Sequence, residues 1–148
     1  MSDLYFNHPS QLESKLVLEK SNKPVYNYYF DYNGGRNFFK VISGFPNAAG
    51  AVHGDEMFYL FDAKVLPYQG SEPDKGIIYW MTKMWTNFAK YGDPTPEIED
   101  GLPTKWIASS KGASRFLYIN DELQMGPMPD IDAYSLWDNI YSKYRKKL

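Results

Sequence analysis

The nine residues Pro24-Val25-Tyr26-Asn27-Tyr28-Tyr29-Phe30-Asp31-Tyr32 constrain the fold more than any other stretch, because β-branched and aromatic side chains fill most of their positions. A strand with one wet face alternates apolar with polar residues, whereas a nearly continuous apolar run is the pattern of a strand covered on both faces. Such a strand belongs inside a sheet. It needs hydrogen-bonding neighbours, since bare edges invite pairing with other chains.

The elements around it are legible from periodicity and punctuation. Before the strand, SQLESKLVLEK predicts a helix over about 10–20, with Leu12, Leu16 and Val17 on one face, Ser10 and Glu13 as a capping box, and His8 as a helix-start residue ahead of Pro9. Asn22-Lys23-Pro24 stops it, because proline disfavours a helical residue before it. After the strand, Asn33-Gly34-Gly35-Arg36-Asn37 is a turn, and 38–47 read as an irregular loop. Met57, Phe58, Leu60 and Phe61 suggest a short helix with Asp55 and Glu56 in its first turn. Pro67, Gly70 and Pro73 mark a connection. Then GIIYWMTKMWTNFAKYG carries apolar residues at 77, 78, 81, 84, 85 and 88, a stripe of helical period closed by Gly92. Two extended runs, 104–108 and 115–120, flank Ser109-Ser110-Lys111-Gly112 and predict a hairpin. The tail predicts a helix bearing Ile131, Tyr134, Leu136, Trp137, Ile140 and Tyr144 and ending in a basic cluster. No internal repeat or low-complexity tract is present. These pieces leave the inner strand without obvious partners, so its neighbours are either short runs pairing in a way the pattern does not reveal or sequence outside the chain.

Bulk properties narrow the function. At 148 residues, 43% hydrophobic and 23% charged, the chain has the length and composition of one globular domain. A formal net charge of −2 gives no electrostatic case for nucleic acid, whose readers need a basic face. No stretch has the roughly 18 to 20 apolar residues of a membrane span, and MSDLYFNHPSQL lacks the basic start and apolar core of a signal peptide. The absence of cysteine rules out disulfides and thiolate metal sites within these residues and leaves localisation open.

The residue with the most chemistry is His53, in GAVHGDEMFYLF. Gly50 and Gly54 allow backbone angles that other residues resist, so the bend can aim an imidazole. With an unperturbed pKa near 6.5, imidazole suits general base catalysis near neutrality. The competing reading is an ordinary surface or satisfied histidine, and spacing alone leaves both open. A metal site is disfavoured, because no second His or Cys lies at ligand spacing. No cofactor is called for.

Three motifs in order, VYNYYFDY over 25–32, GAVHGDE with Tyr59-Leu60-Phe61, and WTNFAKYGDP over 85–94, resemble the C-terminal part of the type-B carboxylesterases, the cholinesterase-like family, and most of all its insect members. Trp106 and the apolar run 116–119 also fit the end of that family's sequences. The similarity covers nearly the whole of 1–148, as one C-terminal part of a carboxylesterase domain. It implies the last core strands, catalytic-histidine loop and C-terminal helices of an α/β-hydrolase fold, incomplete by itself. His53 is then the triad base that takes a proton from a serine hydroxyl and returns one to the leaving alcohol, with a small-molecule carboxylic ester as substrate. Asp55 and Glu56 remain helix-start residues rather than triad acids.

Such an esterase also needs a G-x-S-x-G nucleophile elbow, and the chain has none; midway between Gly50 and Gly54 stands Val52. The triad acid and glycine-rich oxyanion loop are missing as well. The expectation is a fragment or truncated product of a longer esterase, Met1 being an internal methionine, without turnover of its own. The alternative is a non-catalytic, cholinesterase-like binding or adhesion protein that uses aromatic surface such as Tyr26, Tyr28, Trp137 and Tyr141. A weaker option makes the basic end, 143–147, a membrane-surface or dimerisation helix; a solvated last turn with cations favourably placed at the helix C-terminus is the preferred explanation. Substrate identity, secretion and oligomeric state stay open.

Overall fold

The structure, a computed structural model, describes residues 3–21, 23–64, 70–97 and 101–144. Its contacts divide into two units. Unit 1 comprises Met1–Asn27, Ile107–Phe116 and Gly126–Leu148; unit 2 comprises Tyr28–Trp106 and Leu117–Met125.

In unit 1 a wide turn over Asp3–Asn7 runs into helix α1, His8–Lys20, which therefore starts two residues earlier than its pattern suggested. Ser10 lies inside it and makes no cap; the N-cap position is Asn7, also without a side-chain cap bond. The expected buried face is reversed. Leu16 and Val17 are 45% and 40% exposed, while His8, Gln11 and Ser14 are buried. The reason is polar pairing: Ser14 Oγ donates to Asn27 Oδ1 at 2.7 Å, and Asn27 Nδ2 donates to Ser109 Oγ at 2.9 Å. Ser109 in turn takes the Arg115 N–H at 2.9 Å and bridges to Val25 through its backbone. The last helix, α5 (Ile131–Tyr144), buries none of its residues completely, and its basic continuation, Arg145 to Lys147, lies outside the described residues.

Unit 2 is built on most of a three-stranded sheet in the order β1-β2-β3, with β1 Asn27–Phe30, β2 Phe116–Ile119 and β3 Leu123–Gly126. The expected hairpin between 104–108 and 115–120 does not form. Instead β2 pairs with β1 on one side and, through the tight turn at 120–122, with β3 on the other. Among the described residues the aromatic strand β1 has one strand neighbour and stands at an edge of the sheet, so its inner-strand pattern is met on one side only. Its apolar residues pack on rings: Tyr28 meets Trp85 edge-on at 5.0 Å, and Phe30 meets Tyr59 at 5.3 Å.

Where an irregular loop was expected, a one-turn helix α2 spans Phe38–Ile42; α3 is Met57–Leu60. The principal helix, α4, is Glu72–Tyr91, starting five residues before the first residue of the apolar stripe, Ile77. Ser71 and Asp74 form a reciprocal capping box there, and Pro73 sits in the first turn, where its missing N–H has no helical partner to lose. Ile77, Met81 and Met84 are sealed inside, each worth about 1.5–3 kcal/mol of burial. Phe88, on the same stripe, is half exposed. At the other end Gly92 takes φ 70°, and its N–H bonds Phe88 O at 2.8 Å. A methyl there meets nothing within 4 Å, so Gly92→Ala is expected to cost only the left-handed strain, about 1 kcal/mol in urea unfolding.

Candidate active site

The loop that carries His53 belongs to unit 2 and joins α2 to α3. Its shape comes from two buried charges. Asp55 is fully buried: Oδ2 accepts the Val52 N–H at 2.9 Å, and Oδ1 accepts the Lys40 N–H at 3.2 Å. Both bonds go to a carboxylate, the stronger kind of acceptor. Asp55 therefore closes the loop from inside rather than decorating an exposed helix start. Lys40, also buried, points its ammonium at neutral oxygens, donating to Asn33 Oδ1 at 2.5 Å and Gly50 O at 2.6 Å. It ties the start of the histidine loop to the turn that follows β1.

Glycine is required at both flanks. Gly50 has φ 69°, and a Cβ there would run into the Asp31 carboxylate. Gly54 has φ 90°, and a Cβ would stand 2.9 Å from the Phe39 ring. Backbone bonds Asp55 N to Val52 O at 3.1 Å and Met57 N to Gly54 O at 3.1 Å tighten the bend into α3. His53 sits at its apex and is exposed. Gly54→Ala is expected to lower stability by about 1–3 kcal/mol, combining backbone strain with the clash. Gly44→Ala, at φ 81° with open space around it, supplies the strain alone, so the difference between the two in urea denaturation isolates the steric part.

Beneath this loop a second anchor holds the 33–37 turn against the start of α4. Asp74, almost wholly buried, accepts from the Tyr32 hydroxyl at 3.1 Å, the Gly35 N–H at 3.2 Å, and both the N–H and hydroxyl of Ser71 at 2.8 Å each. Tyr59, from α3, donates to Asn37 Oδ1 at 2.7 Å and lies 3.5 Å from Asp74. Burial, and then the Asp74 charge, push the Tyr59 phenol far above the ordinary tyrosine range. Arg36 Nε caps the carbonyl of Phe58 at 2.6 Å. Burial first and then Glu56 push Tyr28 up to about 12.

Thus His53, the one site residue expected from the sequence, is presented to solvent on a braced loop, and Glu56 occupies the N-cap position of α3. The bracing residues Lys40, Asp55 and Asp74 were not foreseen as such. Within the sequence an HGDE string signals only acid at a helix start; the donors that claim Asp55 lie up to 15 residues away, and those that claim Asp74 up to 42. Among the described residues no group of three His, Cys, Asp or Glu could hold a metal ion, and no helix is long and apolar enough to cross a membrane.

A family model described as "Carboxylesterase family" matches residues 1–137. The chain belongs to the carboxylesterase family. Among curated members it is 35% identical to carboxylesterase 1C of Rattus norvegicus over 142 residues, 96% of this chain and 24% of the relative. It is 34% identical to the juvenile hormone esterase of Tribolium castaneum over 87 residues, 55% of this chain and 15% of that protein. The crystal structure of juvenile hormone esterase from Manduca sexta, with OTFP covalently attached, superposes with a TM-score of 0.75 at 28% identity. That match covers 95% of this chain and 27% of the solved one, which makes the fold described above a part of an α/β-hydrolase. The chain thus spans about a quarter of the length of such carboxylesterases.

Proposed function

We propose that this chain is the C-terminal segment of a serine carboxylic ester hydrolase and that His53 is the histidine of its catalytic triad. The observation that carries the reading is an exposed imidazole on a loop fixed by two left-handed glycines, a buried aspartate and a buried lysine, in a carboxylesterase chain. Fixing matters because a general base must meet its serine hydroxyl at hydrogen-bond distance, about 2.6–3.2 Å, and displacement of an ångström costs rate.

In this mechanism His53 accepts the proton of a serine hydroxyl as that oxygen attacks the ester carbonyl, then delivers it to the departing alcohol. A water molecule repeats the cycle, and the acid is released. The serine, the triad acid and the oxyanion donors come from other parts of the hydrolase fold. The substrate is a small-molecule carboxylic ester. Lacking a G-x-S-x-G elbow, the 148 residues by themselves are expected to give no ester turnover.

The test is hydrolysis of a chromogenic short-chain ester by the complete polypeptide that carries this segment, beside the 148-residue chain alone. Turnover by the short chain, or a complete polypeptide without a G-x-S-x-G serine, overturns the reading.

A further inference from the structure

Unit 1 contains a buried imidazole that nothing in the ester mechanism uses. His8, at the start of α1, is 2% exposed. Its ring stacks on Tyr141 at 5.0 Å and 17° and tilts against Tyr134 at 5.1 Å, both from α5. Its Nε2 has no hydrogen-bond partner among the described residues; the nearest charge, Asp138 Oδ1, is 3.7 Å away, too far for a direct bond. A buried ring nitrogen in that state costs stability unless something completes it. His8 and Asp138 both line a groove of about 710 Å³, within the range of about 300–1,000 Å³ typical of small-molecule sites.

The lining defines the chemistry of what fits. Leu12, Ile140 and the Tyr141 ring offer apolar wall, while Lys15 and Asp138 supply one charge of each sign, so the groove favours a neutral molecule. Its polar end must meet an imidazole N–H and a carboxylate 3.7 Å apart. A hydroxyl does both, accepting from one and donating to the other. A carboxylate head would face Asp138 with like charge, and in the tautomer that carries its proton on Nε2 the ring finds no lone pair on an ammonium head.

We propose that the α1–α5 groove binds a neutral alcohol with an apolar tail, its hydroxyl oxygen accepting from His8 Nε2–H and its proton directed to Asp138 Oδ1. This site is independent of His53 and of the ester reading, and its test needs no activity.

The probe is 1-octanol, titrated into the full 148-residue chain while the imidazole nitrogen resonances are followed by NMR, with octylamine, octanoate and octane in parallel. The expected result is a saturable shift of the His8 Nε2 resonance with octanol and none for His53. His8→Phe, which keeps the ring stack, should weaken octanol binding about tenfold or more through loss of the donor. Asp138→Ala, at a partly exposed position, should weaken it about fivefold and serves where the phenylalanine variant does not fold. The proposal is overturned if octanol leaves the His8 resonance in place, which would assign the His8–Asp138 gap to water. It is equally overturned if octylamine, octanoate or octane binds as tightly, or if Asp138→Ala binds octanol with unchanged affinity.

Discussion

His53→Ala in the complete esterase is expected to lower kcat/KM by about a thousandfold or more, close to 4 kcal/mol of transition-state stabilisation, with KM changed little. The size follows from the role. Without the base, the serine hydroxyl must attack with its proton still in place, and the leaving alcohol departs without one. Residual turnover would come from binding and the oxyanion donors alone. The loss of stability should be far smaller than for a buried anchor of the loop, because the side chain is exposed at the apex. The comparison that gives the result meaning is Asp55→Ala, which keeps the imidazole and loosens its loop by freeing the Val52 and Lys40 N–H groups. Asp55→Ala should lose much of its stability together with kcat, whereas His53→Ala should lose chiefly kcat. A His53→Ala enzyme with activity within a few fold of the parent removes this residue from the chemistry.

The contrast between those variants also marks what local pattern can and cannot convey. Helix α4 was legible because Ile77, Met81 and Met84 recur at helical spacing, and burial follows spacing when one face meets a core. Its first turn was obscured by the prolines at 67 and 73, which read as a connection although Pro73 is compatible with a helix start. For α1 the same reasoning failed. The Ser14 hydroxyl and the His8 ring find partners in Asn27, Tyr134 and Tyr141, and those contacts, not the leucines, set the buried face. Strand β3 was missed because its sequence, Leu-Gln-Met-Gly, has no β-branched or aromatic residue, and its pairing depends on β2 rather than on its own propensity. The bend at His53 was legible through its glycines, since a requirement for positive φ is written locally. Asp55 and Asp74 were not: a carboxylate near a helix start looks the same whether it faces water or is claimed by donors as far off in the chain as Lys40 for Asp55 and Tyr32 and Gly35 for Asp74.

Asp74 supplies the largest expected change in stability. Removing its carboxylate in Asp74→Ala strips the partner from the Tyr32 hydroxyl, the Gly35 N–H and the Ser71 N–H and ends the capping box of α4. Loss of a buried charged acceptor and of a cap together should cost about 3–5 kcal/mol, a large part of the 5–15 kcal/mol typical of a folded domain. For a cooperative unit of about 150 residues that is a fall in Tm of roughly 6–20 °C. Asp74→Asn keeps the shape but can accept through one oxygen only, and should fall between the two; a Tm within a degree or two of the parent for Asp74→Ala would show that the network is not what joins the 33–37 turn to α4. Tyr59 offers an independent reading of the same charge. Because its folded-state pKa is raised, the neutral phenol favours the fold; that contribution is fully present below the unfolded tyrosine pKa near 10 and drains away as pH climbs above it. Burial is the larger cause and Asp74 the second, so in Asp74→Asn the Tyr59 absorbance titration should move down in pH yet stay above an ordinary tyrosine. The alkaline decline in stability should then begin at the same pH in both proteins, because its onset is set by the unfolded chain, but it should level off sooner in Asp74→Asn, whose Tyr59 is raised less.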